Sequence, residues 1–123
     1  MPNSTMIGTG FTPEGLTDSY ITTELMSEIS WRTEPVKNMT DWIDKYLTRR
    51  YGKSNGQTLQ GYLKLSEKVF NSKIDHFNQK VLLVNLPSLN MTDFTWYDFE
   101  DVGISWDFFM NAMDDLKDES GFQ

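Results

Sequence analysis

The chain has 123 residues, 18 of them acidic against 11 basic, giving a formal net charge of −7 and a pI near 4.5, and it contains no cysteine. That length supports one domain, or part of one, with a modest core. The acidic balance leaves nothing to neutralise a phosphate backbone, which argues against nucleic acid as a partner, and the missing thiols exclude disulfides, thiolate nucleophiles and zinc–thiolate sites within these residues.

No stretch approaches the ~20 apolar residues of a membrane span, so no membrane partner is expected. The N-terminus lacks the basic-then-apolar layout of a signal peptide.

The first distinctive stretch is "MIGTGFTPEGL", residues 6–16, which has neither helical nor strand periodicity. Pro13 fixes its own φ and pushes Thr12 toward extended backbone. Gly15 can take geometries that other residues adopt only at a cost. Glu14 between them is a carboxylate in a frame that can aim it, although an ordinary turn with a solvated acid fits the same residues.

Beyond this loop the chain reads as helices. Tyr20, Ile21, Leu25, Ile29 and Trp31 recur at helical spacing, with Thr17 as the expected N-cap and a stop near Arg32, before Pro35. A second helix opens at Asn38 or Thr40, shows Met39, Trp42, Ile43, Leu47 and Tyr51 on one side, and stops at Gly52. After the loop "GKSNG", Thr58 is the expected cap of a third helix facing Leu59, Tyr62, Leu63, Val69 and Phe70 inward. From Asn71 to Thr92 the periodicity fails, and Pro87 argues against a central strand, so this reads as a buried extended connection. The last helix starts at Asp98 or Asp101, with Val102, Trp106, Phe109, Met110, Met113 and Leu116 as its core stripe.

Few residues offer chemistry. Most acids sit where helix capping or solvent explains them, and Glu14 alone has a directing frame. His76, the single histidine, lies in the irregular "NSKIDHFNQK" segment beside Asp75; it suits a base, a sugar hydrogen-bond partner or a plain surface residue. No ligand cluster at metal-binding spacing is visible, and "GTGFTPEG" lacks the lysine of a phosphate loop, so neither metal nor cofactor is expected. Asn3, Asn38 and Asn90 each open a glycosylation sequon. Trp42 and Trp106 read as core, whereas Trp31 and Trp96, at element ends, are open.

"PNSTMIGTGFTPEGL", continued by "ELMSEISWRTEPV", "RRYG", "LPSL" and "WYDFEDV", resembles glycoside hydrolase family 89, the lysosomal α-N-acetylglucosaminidases. The resemblance runs from Pro2 to about Met113. Family members are several times longer, so Met1 reads as an internal or misassigned start. The resemblance implies that residues 1–35 are the C-terminal end of a (β/α)₈ catalytic barrel and residues 36–123 the start of an all-helical C-terminal domain. The fragment itself is then mostly α.

The resemblance also implies roles. Glu14 becomes the catalytic nucleophile of a retaining exo-glycosidase that removes terminal α-linked N-acetylglucosamine from heparan sulfate. Its acid/base partner lies upstream of these residues, so the isolated fragment is expected to be inactive. Asn3 matches a family glycosylation site residue for residue, and His76 matches a family histidine only loosely. A lysosomal or secreted parent follows, with the glycan substrate as its partner. The competing reading is a non-catalytic helical interaction module or a decayed partial copy. Two departures stand out: Thr17–Tyr20 lacks the glutamate of a capping box, and residues 71–80 lack cysteines found in relatives.

Overall fold

The computed structural model describes residues 5, 7–12, 19–71 and 96–119. Among them every regular element is helical and there is no strand. The chain divides into two compact units, Met1–Lys37 and Asn38–Gln123.

The first unit holds the exposed, irregular segment 7–12 and helix α1, Tyr20–Ile29. The N-cap is Ser19 and not Thr17, because the backbone is still extended at Ser19 (ψ 123°) and turns helical only afterwards. Ser19 offers no side-chain cap; instead the hydroxyls of Thr22 and Thr23 donate back to its carbonyl. Past Ile29 the amides of Trp31 and Arg32 continue as tighter turns onto the carbonyls of Glu28 and Ile29, so the coiling runs out at Arg32 as expected. Ile21 is the only residue of α1 that is buried, while Tyr20, Met26 and Ile29 are exposed.

The second unit is better specified. Helix α2, Met39–Tyr51, begins at Asn38, whose side chain accepts from the amides of Thr40 and Asp41, and ends at Gly52 in the left-handed conformation (φ 82°). A positive φ is cheap only for glycine, which makes Gly52 a working stop signal. Asp41 in the first turn and Arg49 and Arg50 in the last oppose the helix dipole favourably. Trp42, Ile43, Tyr46 and Leu47 are buried. The spacing anticipated this face, apart from Tyr46, and Met39 is exposed.

Helix α3, Gly56–Leu65, widens into a π-helical turn over Ser66–Phe70. Its cap is Asn55, three residues before the expected Thr58. Thr58 is the other half of a reciprocal capping box: its amide donates to the Asn55 side chain and its hydroxyl accepts from the Asn55 amide. Thr58 and Gly61 are the buried residues of α3, and Leu59, Tyr62, Leu63, Val69 and Phe70 are half-buried.

Helix α4, Phe99–Leu116, starts at Asp98, which accepts from the Glu100 amide. Its buried positions are Ser105, Ala112 and Leu116, with Val102 and Phe109 half-buried between them. The expected stripe is therefore rotated, and Trp106, Met110 and Met113 are exposed. The reason is packing distance. α3 packs against both α2 and α4, and it meets α4 at Gly61, where an added Cβ would lie 2.4 Å from the Phe109 ring. The missing side chain of Gly61 on α3 makes room for the Phe109 ring of α4, and that close approach sets which face of α4 turns inward. The Ser105 hydroxyl donates to the Asp101 carbonyl, so its burial leaves no unmet donor.

An aromatic seam joins the three helices. Trp42 stacks on Tyr46 at 5.8 Å between ring centroids, Tyr46 meets the edge of Tyr62 at 5.9 Å, and Tyr62 meets Phe109 at 5.3 Å. The Tyr51 and Tyr62 hydroxyls share a hydrogen bond of 2.7 Å. Burial first, and then that bond, pushes the Tyr62 hydroxyl far above the ordinary tyrosine range, so it stays protonated. Lys64 pairs with Asp101 at 2.6 Å, tying α3 to the start of α4.

Candidate active site

Glu14 lies outside the described residues, as do His76, Asn3 and Asn90, and so does the expected extended connection up to Thr92, apart from Asn71. Asn38 is described, exposed, and serves as the cap of α2. What the structure gives of the loop region is its approach and its wall.

Segment 7–12 leads toward Glu14, and α1 follows it. The Thr9 hydroxyl hydrogen-bonds the Ser30 hydroxyl at the end of α1, and the Ser30 hydroxyl also donates to the Met26 carbonyl. Between the loop and the second half of α1 lies an open concavity of about 640 Å³. Ile7, Phe11, Met26, Ile29 and Trp31 form its apolar wall, while Thr9, Ser27 and Ser30 add hydroxyls.

That lining can hold an apolar face and hydrogen-bond a few hydroxyls. No titratable side chain is among its described lining residues. Arg32 is engaged by Glu28, whose Oε1 accepts from both its Nε and its Nη2. No cluster of three His, Asp or Glu side chains among the described residues could hold a metal ion, and no helix among them is long and apolar enough to cross a membrane.

The Thr9–Ser30 contact is invisible to periodicity, since it links positions 21 residues apart in sequence. The two open tryptophans part company. Trp31 is 89% exposed on the rim of the concavity. Trp96 is half-buried, and its indole donates to the Val69 carbonyl at 2.7 Å, which fastens the end of the π-helical turn to the approach of α4.

Comparison with known proteins places this arrangement. The chain is 32% identical to human α-N-acetylglucosaminidase over 99% of its own length, which is 17% of that enzyme. It superposes with a TM-score of 0.73 on a family 89 glycoside hydrolase from Clostridium perfringens in complex with its substrate GlcNAc-α-1,4-galactose, at 23% identity, covering 95% of this chain and 14% of that one. The same bacterial enzyme in complex with 2-acetamido-1,2-dideoxynojirimycin gives a TM-score of 0.73 at 24% identity, again over 95% of this chain and 14% of that one. The family model for the α-N-acetylglucosaminidase (NAGLU) C-terminal domain matches residues 42–123, from within α2 through α4, and the chain belongs to that family.

Proposed function

We propose that this chain is the nucleophile-bearing segment of a retaining exo-α-N-acetylglucosaminidase, with Glu14 as the nucleophile. The supporting observation is that identity to the human enzyme extends over 99% of the chain, and so beyond the helical family domain and across "GTGFTPEG". Residues 1–35 close a (β/α)₈ barrel in this reading, and residues 36–123 open the helical domain. The division of the structure at Lys37 supports that boundary.

The substrate chemistry requires such a carboxylate. In an α-linked N-acetylglucosaminide the 2-acetamido group shares a face with the leaving group. It cannot reach C1 from behind, which closes the substrate-assisted route. Ionised Glu14 attacks C1 from the β face through an oxocarbenium-like transition state and forms a glycosyl-enzyme. A second carboxyl group about 5 Å away protonates the leaving oxygen and then activates water. That group is supplied by residues outside these 123, so the isolated chain does not turn over.

The substrate is the non-reducing-end N-acetylglucosamine of heparan sulfate, and the compartment is the lysosome. An exo-acting pocket holds one terminal sugar and leaves the polyanion outside, which limits repulsion from a segment of charge −7. His76 is proposed as a hydrogen-bond partner of the sugar, and Asn3 and Asn90 as glycosylation sites.

The test is Glu14→Gln in the full-length parent, assayed on an aryl α-N-acetylglucosaminide. Shape and hydrogen bonding persist while the nucleophile is lost, so kcat/KM falls on the order of a thousandfold or more. Hydrolysis within a few fold of wild type would remove Glu14 from the mechanism.

A further inference from the structure

Asn38 is both the first residue of a sequon, Asn38-Met39-Thr40, and the cap of α2. Its Oδ1 accepts from the Thr40 amide at 3.0 Å and from the Asp41 amide at 3.3 Å. Backbone N–H groups need an acceptor, so these two bonds decide which end of the side-chain amide faces the helix. Nδ2 has no hydrogen-bond partner among the described residues. Asn38, Met39 and Thr40 are all exposed.

We propose that Asn38 carries an N-linked glycan in the parent protein and remains the cap of α2 while glycosylated. This rests on the reading that the parent enters the secretory pathway. The donor is a lipid-diphosphate-linked oligosaccharide. The Nδ2–C1 bond forms as the C1–O bond to the diphosphate breaks. The electron pair of that bond leaves with the diphosphate, and one Nδ2 proton passes to a base of the transferase. Oδ1 takes no part, so both cap bonds survive. A glycan here also requires that this end of α2 stay in solvent in the whole protein.

The experiment uses the full-length parent from a secretory host. Glycans are released by a peptide-N-glycosidase in heavy-oxygen water, which converts each occupied asparagine to a labelled aspartate, and the tryptic peptide ending at Lys45 is read by mass spectrometry. Label at Asn38 is expected, and Thr40→Ala and Asn38→Asp should each abolish it and remove one glycan-sized step in gel mobility. Label at Asn3 without label at Asn38 overturns the proposal and leaves the secretory reading standing. Label at Asn90 alone likewise overturns only the proposal, and label at none of Asn3, Asn38 and Asn90 overturns both. Hydrogen exchange supplies the second arm: the backbone amides at positions 40 and 41 should be as protected in the glycosylated protein as in Thr40→Ala. Protection confined to the unglycosylated variant would refute retention of the cap.

Discussion

Helix α2, in the second unit, is stopped at both ends by its own neighbours in sequence; helix α1, in the first, is not. Asn38 caps α2, Gly52 ends it in the left-handed conformation, and charged residues of the favourable sign occupy both end turns. α1 has no side-chain cap and no charged residue of the stabilising sign in either end turn. Four residues of α2 are buried against one of α1. A helix held by local signals and a packed seam is specified by its own unit. A helix with one buried residue depends on whatever else meets its apolar side chains, and α1 carries Tyr20, Met26 and Ile29 in the open. The segment that carries Glu14 thus belongs to the less self-sufficient unit, and the packed unit follows it in sequence.

The largest effect that would break this contrast is at the α3–α4 contact. Gly61→Ala places a Cβ 2.4 Å from the Phe109 ring, which must move. The expected cost is about 1–3 kcal/mol, in spite of the better helix propensity of alanine. Urea melts of the 123-residue chain, followed by hydrogen exchange of individual helices, should show the loss in α2, α3 and α4 alone. An unchanged midpoint would mean that the helices are not packed as closely as described.

Caps give a smaller and sharper comparison. Asn38→Ala removes an acceptor used by two amides and should cost about 1 kcal/mol in unglycosylated protein. Ser19→Ala removes a side chain that caps nothing, so the stability of α1 should stay within experimental error. Equal losses at the two sites would contradict the difference drawn between the helices.

The last effect is that of Tyr62, and the part that distinguishes it emerges in alkali. The folded protein holds this hydroxyl protonated far above the value of about 10 expected for an unfolded tyrosine. The unfolded state therefore releases a proton first as pH rises, and stability is lost above about pH 10. Tyr62→Phe should give up about 1 kcal/mol at neutral pH, with the Tyr51 hydrogen bond, and should flatten the alkaline loss. A slope unchanged by the substitution would show that Tyr62 is not the group responsible.

The sequence made α2 and the start of α4 legible because Asn, Asp and Gly carry strong end signals with a mechanism behind each. The cap of α1 is not legible, since serine and threonine recur throughout that stretch and only the backbone turn at Ser19 distinguishes them. The rotated face of α4 was not legible for a different reason. Hydrophobic periodicity weights Trp106, Met110 and Met113, while the buried positions are Ser105, Ala112 and Leu116 and the close approach is that of Gly61 to the Phe109 ring, which apolar spacing does not signal. At the candidate site, the frame of Pro13 and Gly15 leaves Glu14 open between an aimed carboxylate and a solvated turn, and only the family resemblance suggests a role for it. The concavity beside Thr9 and Ser30 depends on a contact across 21 residues of sequence, which no local rule reaches.

The central claim is that Glu14 is the nucleophile, and chemical rescue tests it most directly. In the full-length parent, Glu14→Ala should be nearly inactive on an aryl α-N-acetylglucosaminide and should recover turnover when azide is added. Azide enters on the face vacated by the carboxylate, opposite the leaving group, so the product should be the β-glycosyl azide. An α-glycosyl azide would instead assign Glu14 to the acid/base role. Undiminished hydrolysis without azide would contradict any catalytic role for Glu14.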